Sequence, residues 1–333
     1  MLLSILIPSY NHEQFVLTTI QAAASIDIRD KEIIVIDDGS TDGSANAVRE
    51  YLASRNLGDT VRLASRENRG LVKTLNEGLS LAHGKFLYVV ASDDIPIPEG
   101  IRGLVDNLDK NPSQQFVMGN ALFMESEDQR EFRATYGAAH KRFFALPFEQ
   151  RHREMFLHYP HIYLQATVFK TSALRAIGGW REDIISDDFS LFLRMFSQLK
   201  DVGKDFAFRP EIMACFYRRH QTNVSRNLER QFMTVEQALT ALCPPELRDA
   251  AYFRNCAAHG LTAVQSGKVS VAGRFIRSTI AKTGPIGLVR AAVSELVETI
   301  TKGDARRQAR VAESTLVRMS APSSYYSNNC RTN

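Results

Sequence analysis

The sequence predicts an α/β fold in which a mostly parallel sheet is flanked by helices and is followed by a C-terminal helical extension. Short apolar runs rich in β-branched and aromatic residues alternate with segments whose apolar residues recur at helical spacing. Polar residues follow these apolar runs at the predicted strand ends, and beyond about residue 228 only the helical pattern continues. Alternation of strands and helices with short connections is typical of a parallel sheet covered by helices.

The first third of the chain is predicted to contain three strands, over 2–8, 32–38 and 61–64. The helices after them carry apolar residues at helical spacing: Phe15, Val16, Ile20 and Ala23, then Val48, Tyr51 and Leu52, then Leu71, Leu75, Leu79 and Ala82. The first strand ends in the turn-forming residues Pro8-Ser9-Tyr10-Asn11, and the second ends in Asp37 and Asp38. Because open α/β sheets hold their ligands at the carboxyl ends of the strands, these residues are candidates for a binding site.

A fourth strand, predicted over 86–91, stops at two adjacent carboxylates, Asp93 and Asp94. Unpaired charges are costly inside a sheet, so both carboxylates should emerge at its edge. Pro96 and Pro98 then take the chain out of the sheet, because proline lacks a backbone donor. Adjacent carboxylates on such a turn suit a divalent cation that also binds phosphates. They would also suit a capping role at the next helix, so the pair alone leaves both interpretations open.

The middle of the chain continues the alternation with a helix over 101–108 and strands over 116–121, 161–169 and 212–217. The stretch 124–160 is less regular, and a long irregular stretch in a compact domain is often functional.

Two further polar groups lie at the ends of predicted elements. Asp187 and Asp188 open a helix, where the macrodipole alone would explain acidic residues. Arg218, Arg219 and His220 follow the last strand and could grip phosphate oxygens or pair with surface acids.

The chain has 333 residues, of which 44% are hydrophobic, and this is the composition of a globular protein. No apolar run reaches the roughly 18 residues of a transmembrane helix, and the apolar start lacks the basic leader and cleavage site of a signal peptide. Four scattered cysteines without a Cys-x-x-Cys pair favour neither a disulfide framework nor a zinc site. A cytoplasmic protein is therefore expected.

The basic charge is concentrated in the C-terminal part of the chain. From Lys268 onward there are 11 Lys and Arg against 4 Asp and Glu, a net charge of +7, whereas the whole chain carries +4. Such an excess could contact an anionic membrane, although a solvated helix face is its more common explanation.

Seven motifs resemble those of the family 2 glycosyltransferases, which have the nucleotide-sugar-binding GT-A fold. They occur in the family's order over roughly residues 1–225, and each is weakly specific by itself. The motifs are Pro8-Ser9-Tyr10-Asn11, Val35-Ile36-Asp37-Asp38-Gly39-Ser40-Thr41-Asp42, Asn68-Arg69-Gly70 with Asn76, Ser92-Asp93-Asp94, Gly178-Gly179-Trp180, Ser186-Asp187-Asp188-Phe189 and Arg218-Arg219-His220.

The resemblance implies a role for each matching residue. Pro8, Tyr10 and Asn11, with Asp37 and Asp38, match the site for the nucleotide base and ribose, and Asp38 is expected to accept from the base. Asp94 matches the metal ligand of the Asp-x-Asp-type motif, and Asp93 is expected to reach the sugar or ribose. Asp188 matches the catalytic base, and Arg218 and His220 match the Arg-x-His element that closes over the diphosphate or the metal.

The expected reaction is transfer of a sugar from a nucleotide-diphosphate sugar to an acceptor hydroxyl, with inversion at the anomeric carbon. A divalent cation, Mn²⁺ or Mg²⁺, held by Asp94 and His220 would stabilise charge on the leaving diphosphate. Asp188 would take the proton of the acceptor hydroxyl. The macrodipole keeps Asp188 ionised but weakens it as a base, so desolvation is expected to be required.

The chain departs from the family pattern at two positions. Asp187 stands where the family usually has Glu, and Leu75 stands where many members have a basic residue. Contact with the phosphates is therefore assigned to Lys73, with Arg69 as the alternative.

Other functions were weighed against this one. A dinucleotide-binding domain should have Gly-x-Gly-x-x-Gly after its first strand, and a nucleotidyltransferase should have a Gly-rich basic loop there. The turn Pro8-Ser9-Tyr10-Asn11 has neither of these glycine-rich motifs. A non-catalytic sugar-nucleotide or polysaccharide-binding module stays open as an alternative, and a glycoside hydrolase would not need a site for metal and phosphate.

Three segments are predicted: a GT-A domain over 1–227, a helical extension over 228–302 and a disordered polar and basic tail over 303–333. The expected partners are a nucleotide-sugar donor and a glycan or lipid-linked acceptor of cell-surface polysaccharide or glycolipid synthesis, and no nucleic acid. As a hypothesis, the basic extension rests on the inner face of the membrane.

Overall fold

The computed structural model of the chain describes residues 1–55, 60–126, 128–220, 223, 227–312 and 319–320. Strands β1 to β10 cover Leu3–Ser9, Lys31–Asp37, Val61–Ser65, Phe86–Val89, Ile95–Pro96, Phe116–Met124, Glu131–Ala134, Thr167–Lys170, Ala207–Arg218 and Met319–Ser320. Helices α1 to α11 cover Val16–Ala24, Ser44–Arg55, Leu71–Leu81, Pro98–Lys110, Ala138–Phe144, Phe148–Leu157, Thr171–Ala176, Asp188–Gln198, Leu228–Leu242, Arg248–Gln265 and Val269–Ala312. The predicted alternation of strands and helices is therefore confirmed.

The first four strands form a parallel sheet in the order β4-β1-β2-β3. Every residue of the central strand β1 is buried, as expected for a parallel strand covered on both faces. Helix α3 packs on this sheet through Val72, Leu75 and Leu79, whereas Leu71 is 39% exposed although it was predicted on the buried face. The polar ends of β1, β2 and β4 consequently share one edge, as predicted.

The second half of the sheet is mixed rather than parallel. Strand β8 runs antiparallel to both β4 and β6, and β9 pairs parallel to β6 and antiparallel to β5. The pairing of Ile95 with Phe216 brings the end of β9 to the turn that follows β4. The residues after these two strands, which are far apart in sequence, therefore meet.

The stretch 124–160, predicted to be irregular, contains β7, α5 and α6. Aromatic side chains from it, including Phe143, Phe144 and Phe156, belong to the main core. The strand predicted over 161–169 begins only at Thr167, after a turn of 3-10 helix over Leu164–Ala166. The residues before Thr167 are apolar because they are buried around a turn. Amino-acid composition does not distinguish a buried turn from a buried strand.

Helices α9, α10 and α11 form the predicted helical extension. Phe232 of α9 stacks on Phe275 of α11 with ring centroids 4.2 Å apart, in a small core of their own. Gly284 has a φ of 70° and interrupts α11 directly before Pro285. Helix α11 continues to Ala312, so residues 303–312 are helical here and not part of a disordered tail. The remainder of the predicted tail, apart from 319–320, lies outside the described residues.

Candidate active site

The candidate site lies where the ends of β1, β4 and β9 meet. Asp94, in the turn after β4, is buried, and its Oδ1 accepts a hydrogen bond of 2.9 Å from the backbone N–H of Arg218. Its Oδ2 accepts from Nε2 of Gln165, also at 2.9 Å. Burial, reinforced by the negative charge of Asp93, raises the pKa of Asp94 well above its ordinary value. Both oxygens of Asp94 are thus used to join β4 to β9 and to the segment before β8.

Asp93 is directed toward two imidazoles. Its Oδ2 lies 2.9 Å from Nε2 of His220 and 3.7 Å from Nε2 of His12, which follows β1. Burial opposes ionisation of Asp93, but the hydrogen bond from His220 and the proximity of His12 hold its pKa below the ordinary value. The ligand atoms of His12, Asp93 and His220 all lie within 4.8 Å of one another. This group has the donor types and the spacing to hold a metal ion.

The orientation of His12 is fixed by a second contact. Its Nδ1 lies 2.8 Å from Oγ of Ser92, one residue before Asp93. A hydrogen bond from Nδ1 to that hydroxyl leaves the lone pair of Nε2 facing the carboxylate. Burial also lowers the pKa of His12, which favours the neutral imidazole that binds metals. His12 was not among the residues predicted from the sequence, although its position directly after the polar end of β1 was a usable signal.

Arg218 and His220 both lie next to the Asp93-Asp94 turn. The guanidinium of Arg218, whose residue is only 6% exposed, is over the ring of Phe15 at 4.6 Å from its centroid. That ring also packs on His220, with centroids 4.9 Å apart. Phe15 therefore packs against both the Arg218 guanidinium and the His220 ring at the edge of the sheet.

The predicted nucleotide site is assembled from the ends of β1 and β2. Asn11, with a φ of 54°, accepts through Oδ1 from the N–H of Thr41 at 2.8 Å, and its own N–H donates to Oγ of Ser40. Pro8 is buried opposite Ile36 in the β1–β2 register, Ser9 lies opposite Asp37, and Tyr10 is 47% exposed. These two turns are consequently fastened to each other.

Asp37 and Asp38 differ in how their oxygens are used. Asp38 accepts from the N–H groups of Arg69 at 2.7 Å and Gly70 at 2.9 Å, and from the guanidinium of Arg66. Oδ2 of Asp37 accepts weakly from Ser40 and Ser65, whereas Oδ1 is buried with no hydrogen-bond partner among the described residues. The carboxylate with capacity for a further donor is therefore Asp37.

Lys73 is exposed near the start of α3. The N–H of neighbouring Gly70 is held by Asp38, and the φ of 87° at Gly70 is one that glycine adopts readily. The turn before α3 is thereby held against the end of β2. Lys73 forms no hydrogen bond or ion pair with Asp93 or with the described residues that contact Asp93.

Asp188 begins α8, and its Oδ1 accepts from the following N–H, that of Phe189. Burial raises the pKa of Asp188 well above its ordinary value, and the negative charge of Asp187 raises it further. The dipole at the start of the helix would lower that pKa, so the surrounding protein outweighs it. Asp188 is nevertheless partly exposed to solvent. Packing therefore desolvates Asp188 in part before any acceptor binds.

Tyr163 lies beside the end of β9, with its ring centroid 5.4 Å from that of Tyr217. Burial is the main reason that its pKa rises to about 12, and the charges of Asp188 and Asp94 both contribute. Neither Tyr163 nor Gln165 was selected from the sequence, because both lie in the segment mistaken for strand.

The model of the family described as "Glycosyl transferase family 2" matches residues 4–178, more than half of the chain. The chain belongs to glycosyl transferase family 2. The resemblance predicted from the motifs is confirmed. The family match includes the turns around Asp37 and Asp93 but ends before Asp188 and His220, whose roles depend on the geometry above.

Relatives of this family 2 chain include two bacterial polymer synthases. Poly-beta-1,6-N-acetyl-D-glucosamine synthase of Staphylococcus epidermidis is 26% identical over 195 residues, which are 57% of this chain and 44% of the relative. Chondroitin synthase of Escherichia coli is 30% identical over 112 residues, which are 34% of this chain and 16% of the relative. The chain thus spans less than half the length of these relatives.

Two solved structures share the fold. The first is a mannosyltransferase of Pyrobaculum calidifontis in complex with GDP-Man and Mn²⁺, with a TM-score of 0.55, 19% identity and coverage of 88% of this chain and 86% of that one. The second is TarS 1–349 of S. aureus in complex with UDP-GlcNAc, with a TM-score of 0.56, 16% identity and coverage of 93% and 92%. The predicted GT-A fold of this family 2 chain, with its helical C-terminal region, is confirmed.

Proposed function

We propose that the protein transfers a sugar from a nucleotide-diphosphate sugar to an acceptor hydroxyl, with inversion, in the synthesis of a cell-surface polysaccharide or glycolipid. The observation that carries this proposal is the metal-capable group of His12, Asp93 and His220, brought together at the strand ends of a family 2 chain. Family membership supports it, as do the names of relatives that make polysaccharides and of neighbours that bind sugar nucleotides.

We assign the divalent cation, Mn²⁺ or Mg²⁺, to Asp93, His220 and His12 rather than to Asp94. One carboxylate and two neutral imidazoles suit Mn²⁺ better than Mg²⁺, which prefers oxygen ligands. Asp94 instead positions Gln165 and the start of the Arg218-His220 segment through its two hydrogen-bonded oxygens. When bound, the cation supplies Lewis-acid stabilisation of charge on the leaving diphosphate.

The protein's own groups perform the remaining steps. Arg218, held against Phe15, is placed to donate hydrogen bonds to diphosphate oxygens as negative charge develops there. The base and ribose would occupy the pocket formed by Pro8, Tyr10, Asn11, Asp37 and Asp38, with Asp37 Oδ1 accepting from the base and Lys73 reaching a phosphate. Asp188 would take the proton of the acceptor hydroxyl as that oxygen attacks the anomeric carbon. One displacement of this kind inverts the configuration.

Release of nucleoside diphosphate from a panel of nucleotide sugars tests this function. The full chain is incubated with UDP- and GDP-sugars, with Mn²⁺, with Mg²⁺ or with a chelator. We expect at least one donor to be consumed, faster with Mn²⁺ than with Mg²⁺, and we expect the chelator to stop release. Binding of a donor without its cleavage under any condition would favour the non-catalytic module instead.

We further propose that the GT-A domain spans 1–227 and that the extension after it contacts the inner face of the membrane. No helix among the described residues is long and apolar enough to cross a membrane. Exposed apolar side chains of α11, Ile286 at 68%, Val289 at 62% and Val293 at 56%, lie at helical spacing. Exposed Lys282 and Arg290 flank them. An apolar stripe with basic neighbours suits the surface of an anionic bilayer, which supports a position at the cytoplasmic face of the membrane.

Co-sedimentation with liposomes tests the membrane contact. We expect the chain to sediment with vesicles containing phosphatidylglycerol and to remain in solution with pure phosphatidylcholine. The substitution V289E should weaken sedimentation, because it adds charge to the apolar stripe. M233E, at an exposed apolar residue of α9, serves as the matched control. Equal binding to both vesicle types, or no effect of V289E, would contradict the proposal.

A further inference from the structure

A row of side chains crosses three neighbouring strands next to the candidate active site. In the sheet register, Phe123 of β6 lies opposite Arg133 of β7 on one side and Tyr217 of β9 on the other. Side chains at paired positions of adjacent strands share a face of the sheet. The alternate positions on these strands, Leu122, Phe132 and Phe216, are buried in a separate apolar cluster. The row therefore faces away from that cluster.

Tyr163 packs onto this row of side chains. The ring of Tyr163 lies 5.4 Å from Tyr217 and 6.4 Å from Phe123, and Phe123 lies 5.8 Å from Tyr217, measured between centroids. All three rings are half-buried. Gln165, two residues after Tyr163, and the backbone N–H of Arg218, directly after Tyr217, both donate to Asp94. This aromatic surface therefore borders the turn that carries Asp93 and Asp94.

Two exposed arginines flank the aromatic surface. The guanidinium carbons of Arg133 and Arg219 lie 5.1 Å and 5.4 Å from the centroid of Phe123. Arg219 also forms an ion pair of 2.8 Å with Glu125, in which both side chains are about half exposed. Exposed ion pairs are weak, so an incoming anion can replace Glu125. Stacking on Phe123 holds both guanidiniums beside the rings.

The position of this surface in the sheet distinguishes it from the donor site. The proposed nucleotide pocket lies at β1 and β2, and the metal group lies at the ends of β1, β4 and β9. Strands β6 and β7 lie on the opposite side of β4 from β1 and β2. A molecule bound on the aromatic surface would therefore lie on the side of β4 away from the nucleotide.

We infer that Phe123, Tyr163 and Tyr217, with Arg133 and Arg219, form the acceptor subsite and that the acceptor is a glycan carrying an anionic group. Aromatic faces pack against the apolar faces of sugar rings, and the planar guanidinium recognises carboxylate or phosphate through paired hydrogen bonds. A ring on Tyr217 and Tyr163 would present a hydroxyl toward Asp188 while its anionic group contacts the arginines. This inference rests on the proposed function and adds the chemical class of the acceptor.

Binding of three probes with one backbone tests the inference: cellotetraose, its 6-carboxylate form and its 6-phosphate form. Dissociation constants are measured by NMR titration of the full chain with Mg²⁺ and UDP or GDP present. We expect at least one charged probe to bind about tenfold more tightly than cellotetraose. The two charged probes separate a carboxylate-bearing acceptor from a phosphate-bearing one.

Variants locate the binding. R133Q/R219Q should reduce the preference for the charged probe to within about twofold of cellotetraose, since both paired donors are lost. E125Q should strengthen binding of the charged probe, because a competing carboxylate is removed. Y217L should weaken all three probes. R49Q, at an exposed arginine of α2, is the matched control and should change none of them.

Equal affinity of the wild-type chain for charged and neutral probes would overturn the inference, as would a preference that R133Q/R219Q leaves intact. A matching loss of UDP and GDP affinity in that double variant would also overturn it, because the arginines would then serve the donor. Nucleotide binding without binding of any probe refutes the acceptor subsite alone, whereas failure to bind either nucleotide refutes the proposed function itself.

Discussion

Asp188→Asn is expected to lower turnover by about 10²- to 10⁴-fold, the usual contribution of a general base. The amide has nearly the shape of the carboxylate but cannot take a proton from the acceptor hydroxyl. Donor affinity should stay nearly intact, because the donor groups His220, Arg218 and Asp37 lie on other elements. Single-turnover kinetics with saturating donor, together with direct titration of the nucleotide, separate these two effects.

The neighbouring substitution Asp187→Asn is the matched control for this experiment. It removes one carboxylate of the same turn, and its effect on turnover should be much smaller. Burial raises the pKa of Asp187 as well, although less than that of Asp188. If Asp187→Asn proved the more damaging change, the role of base would pass to Asp187.

The pH profile provides a second check on Asp188. A base acts only when it is deprotonated, so the rate should fall as pH decreases through its raised pKa in the folded protein. Because burial disfavours the charged form, the carboxylate of Asp188 costs stability at neutral pH. Asp188→Asn should therefore melt at the same temperature as the wild type or higher. A clearly lower melting temperature would attribute its loss of turnover to misfolding.

Asp93→Asn is expected to weaken Mn²⁺ binding more than Asp94→Asn does. Loss of a residue that only orients a metal ligand typically lowers metal affinity roughly 10- to 100-fold. Loss of the ligand Asp93 itself should lower Mn²⁺ affinity by at least as much. The oxygens of Asp94 already accept from Gln165 and from the N–H of Arg218. Titration of Mn²⁺ followed by electron paramagnetic resonance measures binding directly and does not depend on turnover.

His12→Gln tests the third member of the metal group. The change should weaken Mn²⁺ binding and reduce the preference for Mn²⁺ over Mg²⁺, since an imidazole nitrogen is replaced by a weaker amide oxygen. Ser92→Ala should have a smaller effect in the same direction, because it only releases the orientation of His12. Metal binding that survives Asp93→Asn and is lost in Asp94→Asn would restore the assignment made from the sequence.

Most elements of the fold could be predicted because their signals are local. Alternating apolar runs identify β1 to β4 and their helices, and glycine with proline marks the break in α11. The segment 124–160 could not be predicted in this way. Its helices are short and its aromatic residues face a core formed by distant strands, so neither spacing nor composition revealed them.

The sequence by itself determined the family, the GT-A fold and the turns that carry the polar side chains, because strand ends and turn residues are encoded by neighbouring amino acids. Only the tertiary structure decided which side chains act together. Asp93 and Asp94 are adjacent, yet one faces His12 and His220 while the other is bound by Gln165 and Arg218. Successive residues of a turn point in different directions, and their partners lie on strands that are paired only in the folded sheet.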